Sequence, residues 1–185
     1  MRADLTAERL AALMRELASS APRGKSFRVY LVGGGTAVYS GWRASSVDID
    51  LHADHEGVFR DIQGIKERLN VNVEFARPEH FVPPLAGTGD RHVFIETVGR
   101  VSYFHYDPYA QTFAKVVRGF ERDMEDARRF VQSGMVDPRR LGDLVDAIPG
   151  KAWARYPSLS RAAVVAAVDA FLDDLPPDPL PDAAP

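Results

Sequence analysis

The chain of 185 residues carries 23 Lys and Arg against 26 Asp and Glu, a formal net charge of −3, and no cysteine. That excludes disulfides, thiolate metal sites and cysteine nucleophiles, and it gives no overall basic footprint of the kind a dedicated nucleic-acid binder carries. Hydrophobic residues at 45% and charged residues at 26% fit an ordinary globular protein of one domain, or one domain with a small appendage.

The first ten residues, MRADLTAERL, lack the apolar core of a signal peptide, and no apolar run reaches membrane-spanning length. The expectation is a cytoplasmic protein without a membrane partner. Leu5–Ser19 reads as an amphipathic helix, with Leu10, Leu13, Met14 and Leu17 at helical spacing, Thr6 as cap and Leu5 stapled onto Leu10. Ser20–Gly24 is a loop and Phe27–Val32 the first strand. The chain then breaks at Gly33-Gly34-Gly35, and Thr36–Gly41 makes one or two helical turns before a second strand at Val47–Leu51.

His55–Leu69 carries Val58, Phe59, Ile62, Ile65 and Leu69 at helical spacing across Gly64. Val71–Phe75 alternates as a strand, with Asn72 and Glu74 on the polar face. A Pro- and Gly-rich loop follows. His92–Val98 and Val101–Tyr106 then flank Gly99-Arg100 as a hairpin. Asp107-Pro108 starts a helix whose apolar stripe runs from Tyr109 to Val131, so one long helix ending at Gly134 is predicted. Two shorter helices follow near Pro138–Ile148 and Leu159–Leu175. The last ten residues, with five prolines, read as a disordered tail.

The organisation predicted is therefore a domain over residues 1–134, a helical extension over 135–175 and a tail over 176–185. The fold class is α+β (α/β), a mixed β-sheet flanked by helices with a helical C-terminal third.

The chemistry concentrates in the first half. On a strand through Asp48-Ile49-Asp50-Leu51, side chains alternate, so both carboxylates face one way while Ile49 and Leu51 enter a core. Magnesium takes one or two carboxylates together with phosphate oxygens. A glycine turn leading into a helix start offers backbone N–H groups to a phosphate, and Gly33, Gly34, Gly35 and Thr36 fit that need, with the Thr36 hydroxyl as a further donor. Glu74 on the next strand is the candidate third acid, for metal binding or for deprotonating an attacking hydroxyl. The glycines do not match a dinucleotide-binding fingerprint, because Val38 stands where the third glycine belongs, and a P-loop lysine is absent.

These residues carry a resemblance. Gly33–Thr36 followed by Ser46-Val47-Asp48-Ile49-Asp50, with an acid on a later strand, resembles the nucleotidyltransferase superfamily of the DNA polymerase β type. Within it the chain is most similar to small bacterial proteins related to abortive-infection and toxin–antitoxin nucleotidyltransferases. There a Gly-Gly-Thr/Ser-Ala turn, an Arg-x-Ser/Thr-x-Asp-x-Asp segment and a Lys-containing helix ending in Arg-Asp-x-x-Asp recur. Here these correspond to Gly34–Ala37, Arg43 with Ser46–Asp50, and Lys115 with Arg122–Asp126. The resemblance spans roughly Phe27–Gly134. Gly35 departs from it where many members have serine, and Glu74 where many have aspartate.

The resemblance implies transfer of a nucleoside monophosphate from a nucleoside triphosphate with Mg2+ (or Mn2+) held by Asp48, Asp50 and Glu74. Gly33–Thr36 would hold the triphosphate and Lys115 neutralise it. The acceptor would be a hydroxyl of RNA, protein or a small molecule, in a toxin–antitoxin or phage-defence setting with a cognate partner protein. The alternative is a non-catalytic module of the same fold, an antitoxin or regulatory partner. The stripe Val164, Val165, Val168, Phe171 and Leu172 would then dock its partner, although completing the protein's own core is the expected use.

On their own spacing, Asp123 and Asp126 read as exposed charges pairing with Arg122 and Arg129. Lys115 reads either as a solvated side chain or as a triphosphate contact. His52 and His55 suggest a metal pair, but their spacing after the strand points to a loop, and His105-Tyr106-Asp107 reads as a strand end and helix cap.

Overall fold

A computed structural model describes residues 2–176; the expected disordered tail lies, apart from Pro176, outside the described residues. The fold is a mixed α+β arrangement. Its elements are β1 (Leu5–Thr6), α1 (Ala7–Ser20), β2 (Phe27–Val32), α2 (Gly34–Tyr39), β3 (Ser45–Ser46), β4 (Asp48–Ala53), α3 (Ile62–Leu69), β5 (Asn72–Phe75), β6 (Val93–Val98) and β7 (Val101–His105). The helices α4 (Pro108–Arg118), α5 (Glu121–Gln132), α6 (Pro138–Asp146), α7 (Gly150–Trp153) and α8 (Arg161–Asp173) complete it.

Five strands form one sheet in the order β5-β4-β2-β7-β6, with β4–β5 and β2–β7 parallel and the other pairs antiparallel. A two-residue clip, β1 against β3, pairs Leu5 with Ser46 and ties the start of α1 to the entry of β4.

Strand alternation divides the molecule into two apolar clusters. One face sends Val29, Leu31, Ile49, Leu51, Val73 and Tyr103 under α1 and α3, where they meet Leu10, Leu13, Leu17 and Ile65. The Tyr103 hydroxyl, buried there, donates to the Met14 carbonyl at 2.7 Å. The opposite face carries Tyr30 and Val32 into a second cluster with Phe113, Phe130, Leu141, Val145 and Phe171. Val164, Val168 and Phe171 are buried in that cluster, with Val165 and Leu172 packed against it. The C-terminal stripe thus serves the protein's own core.

Four expectations are corrected. The predicted long helix is two helices, because Gly119 adopts a left-handed conformation (φ 70°) and caps α4, its N–H bonding to the Lys115 carbonyl. Phe120, in extended conformation, then starts α5. The segment from His55 divides into a 3-10 turn at Glu56–Phe59 and α3 from Ile62, so the break falls before Gly64. The strand carrying the aspartates runs two residues further than expected, and His52 lies within it. The short helix α7 has no counterpart in the expectation.

No helix among the described residues is long and apolar enough to cross a membrane.

Candidate active site

A cleft of about 440 Å³ opens where the C-terminal end of β2 meets β4, β5 and α4. Gly33 and Gly34 are among its lining residues. Asp48, Asp50 and Glu74 line it from the strands; Lys115 and Arg118 of α4 and Arg122 and Asp123 of α5 line it from the helices, and Arg77 from the segment after β5.

The grouping of acids follows from register. Parallel pairing sets Asp50 opposite Glu74 and Asp48 opposite Asn72, and residues opposite one another on neighbouring strands point to the same face. Burial pushes the Asp50 carboxyl up to about 6, reinforced by the negative charges of Glu74 and Asp48 and opposed by Lys115 and Arg118. Asp48 accepts a short hydrogen bond from the Asn72 amide. Among the described residues no three His, Cys, Asp or Glu side chains form a ready-made metal cage.

The donor chemistry nevertheless suits a hard divalent cation. Two aspartates and a glutamate supply carboxylate oxygens on one face, and burial with the neighbouring carboxylates disfavours the ionised form of Asp50, a cost that a bound cation would offset.

Around the glycine turn, the structure separates the four residues expected to act together. Gly33 and Gly34 line the cleft, whereas Gly35 and Thr36 do not. Gly33 has φ 53°, and a Cβ there would sit 2.6 Å from Asp50 Oδ2, so only glycine lets the turn lie against the carboxylate. Its N–H donates to Gln111 Oε1 at 2.8 Å.

Gly35 is turned toward Ile49 and Leu31 in the interior. The expectation of a Thr36 hydroxyl facing phosphate is corrected. That side chain is fully buried, and its hydroxyl donates to the Leu31 carbonyl at 3.0 Å while accepting from Gln111 Nε2 at 3.3 Å. His105 Nδ1 lies 3.2 Å from the same oxygen, which completes the bonding capacity of a hydroxyl. Burial lowers the His105 pKa to about 4, so the ring there is neutral.

Lys115 is buried on the cleft wall rather than solvated. Its ammonium lies 2.5 Å from Asp126 and 3.3 Å from Asp123. Arg43 joins Asp126 at 2.6 Å, and Arg118 Nε lies 3.0 Å from Asp123. Asp123 and Asp126 are therefore buried partners of Lys115, Arg43 and Arg118, not exposed partners of Arg122 and Arg129.

The break at Gly119 makes this network possible. In one straight helix Lys115 would stand about 12 Å along the axis from Asp123 and about 16 Å from Asp126; the turn folds α5 back so that both carboxylates reach it. A sequence signal existed, since Asp123 and Asp126 fall on the same helical stripe as the buried Ala127 and Phe130.

No protein-family model, curated protein or solved structure matches this chain. The site is therefore argued from its own geometry.

Several lining residues escaped the sequence reading. Gln111 and Arg118 sit four residues before and three after Lys115, on one face of α4, a spacing that pointed to them once Lys115 was singled out. Arg77 and Phe81 come from the irregular segment after β5, where periodicity gives no signal. His52 and His55 form no pair: the His52 ring stacks on Tyr30 at 5.7 Å, and His55 is exposed. Asp107 behaves as a helix cap, accepting from the Tyr109 N–H at 3.0 Å and from Arg91 Nη2 at 2.6 Å.

The strands bring three carboxylates to the cleft and α4 and α5 bring Lys115, Arg118 and Arg122, with a close-approach glycine turn against Asp50. Such an arrangement suits a polyphosphate bridged to acids by a divalent metal.

Proposed function

We propose that this chain is a metal-dependent nucleotidyltransferase with a nucleotidyltransferase-like fold. It moves a nucleoside monophosphate from a nucleoside triphosphate to a hydroxyl of RNA, protein or a small molecule. The observation that carries the reading is the register of Asp50 against Glu74 directly beside the Gly33 turn.

Asp48, Asp50 and Glu74 are the residues to hold Mg2+ or Mn2+. Such a cation, when bound, neutralises phosphate charge and orients the reacting oxygens. The residues of this chain supply the rest. Gly33 and Gly34 let a phosphate approach the backbone, and Lys115 and Arg118 of α4 offset the charge of the triphosphate and of the departing pyrophosphate. The acceptor hydroxyl attacks the α-phosphorus in line, and the bond to the β-phosphate oxygen breaks. The hydroxyl proton passes to a carboxylate, for which exposed Glu74 is best placed. Positioning and electrostatics provide most of the acceleration. A cytoplasmic setting, with a toxin–antitoxin or defence role and a cognate partner protein, is part of the same reading.

The test incubates the protein with Mg2+, each α-labelled nucleoside triphosphate, total RNA and cell protein. Label entering an acceptor with wild-type protein and not with Asp48→Asn/Asp50→Asn supports the assignment and names the acceptor class. Transfer that survives the double substitution defeats it, as does no transfer with any nucleotide.

A further inference from the structure

Two large apolar side chains of the same cleft are exposed. Phe81, in the segment after β5, is 48% exposed, and Phe120, at the α4–α5 break, is 66% exposed. Both line the cleft. Arg118 connects them, its guanidinium carbon lying 5.8 Å from the Phe81 ring centroid and 5.9 Å from that of Phe120. These are cation–π distances. The same guanidinium keeps its Nε 3.0 Å from Asp123, so it is held in place between the rings and the ion-pair network.

We propose that Phe81 and Phe120 form a stacking subsite for the base of the nucleoside triphosphate, with Arg118 held between the base and the phosphates. The inference rests on the nucleotidyl-transfer reading and adds to it the residues that hold the base.

Three features of the cleft favour a base over another apolar group. The rings line the same cleft as Lys115 and the acids, so a ligand whose phosphates meet those residues has its other end within the reach of the rings. Cations accompany the rings: Arg77, Arg118 and Arg122 line the same opening. A nucleotide supplies both a flat π-face for the rings and anionic oxygens for the arginines, which a fatty chain or an apolar peptide does not. Finally, Gln111, the one carboxamide among the lining residues, is committed to Gly33, Tyr106 and Thr36. That carboxamide is thus not free to read a base edge, and stacking on the ring faces gives affinity for any base, stronger for purines, with their larger stacking surface, than for pyrimidines.

The experiment compares Mg2+-dependent binding of ATP, CTP and inorganic tripolyphosphate by calorimetry. It uses full-length wild-type protein and the Phe81→Ala, Phe120→Ala and Phe120→Tyr variants. Tripolyphosphate carries the phosphates without a base. ATP is expected to bind wild-type protein at least about tenfold tighter than tripolyphosphate, with CTP between them. Each alanine variant loses about tenfold in ATP affinity while holding tripolyphosphate as wild-type does, and Phe120→Tyr keeps the ATP affinity.

Equal affinity for ATP and tripolyphosphate in wild-type protein overturns the subsite and leaves the phosphate site standing. Alanine variants that bind ATP like wild-type, or that lose both ligands together, also overturn it. If neither ligand binds, the nucleotidyl-transfer reading falls and takes the subsite with it.

Discussion

Gln111 Oε1 accepts the Gly33 N–H at 2.8 Å, joining the first residue of the glycine turn to the middle of α4, 78 residues later. The other end of the same carboxamide donates to the Tyr106 carbonyl at 2.8 Å and to Thr36 Oγ1 at 3.3 Å. One buried side chain thus holds the turn, the end of β7 and the first turn of α2 in a fixed relation.

Gln111→Leu leaves the Gly33 N–H and the Tyr106 carbonyl without these partners. The expected loss is about 1–3 kcal/mol of stability, measured by urea denaturation, together with weaker binding of tripolyphosphate as the turn loosens. Gln111→Glu keeps the acceptor and loses both donors, so it is expected to be no better than Gln111→Leu. A stability equal to wild-type in either variant shows that the carboxamide does not hold the turn.

Gly33→Ala should be severe for function. The added Cβ meets Asp50 Oδ2 at 2.6 Å and φ is 53°, so the carboxylate must move or the backbone strain by about 1–2 kcal/mol. Metal-dependent nucleotide binding is expected to fall at least about tenfold, the counterpart of a shift of that size. Calorimetric titration of Mg2+ and ATP tests this, and unchanged binding counts against a role for the close contact.

Asp50 governs a pH dependence whose direction is fixed. Its carboxyl holds a proton up to about 6 in the fold, against an ordinary value of 3.8. The native state therefore binds more protons than the unfolded chain between these values, and the Asp50 contribution to stability falls as pH rises through that interval. Asp50→Asn removes the buried charge. It is expected to raise stability at pH 7.5 by on the order of 1–2 kcal/mol, allowing for partial exposure, and to make no difference near pH 3.5. Denaturation of both proteins at the two pH values checks the sign. Metal affinity runs the opposite way, weakening below about pH 6 as the proton competes for the same oxygen.

Lys115→Met removes the cation between Asp123 and Asp126 while Arg43 and Arg118 remain on the outer sides. Breaking a buried pair by deleting one partner costs about 3–5 kcal/mol, and the two arginines reduce this to about 1–3 kcal/mol. Lys115→Arg, which restores the charge, should recover most of the stability but not the position of the Nζ at the cleft wall. Thermal melting separates the variants; a Met variant as stable as wild-type shows that the network is held by the arginines alone.

The alternation at Asp48-Ile49-Asp50-Leu51 was readable in the chain because a strand fixes which side chains share a face without reference to anything distant. The same locality made α1, the β6–β7 hairpin and the Asp107 cap legible, since each depends on residues within a few positions of one another. Gly119 was passed over because the apolar stripe runs on through it; periodicity reports which residues will be buried, and both helices bury that stripe.

The sequence by itself determined that two aspartates and a glycine turn lie on consecutive elements, and that Glu74 shares a face with Asn72. Only the tertiary structure decided that Glu74 stands opposite Asp50, because strand neighbours are chosen by packing across the sheet, not by order along the chain. It also decided that Thr36 faces inward to Leu31 and His105, and that Lys115 meets Asp123 and Asp126. A hydroxyl or an ammonium takes whichever partners the fold brings within about 3 Å, and here those partners come from residues up to 75 positions away.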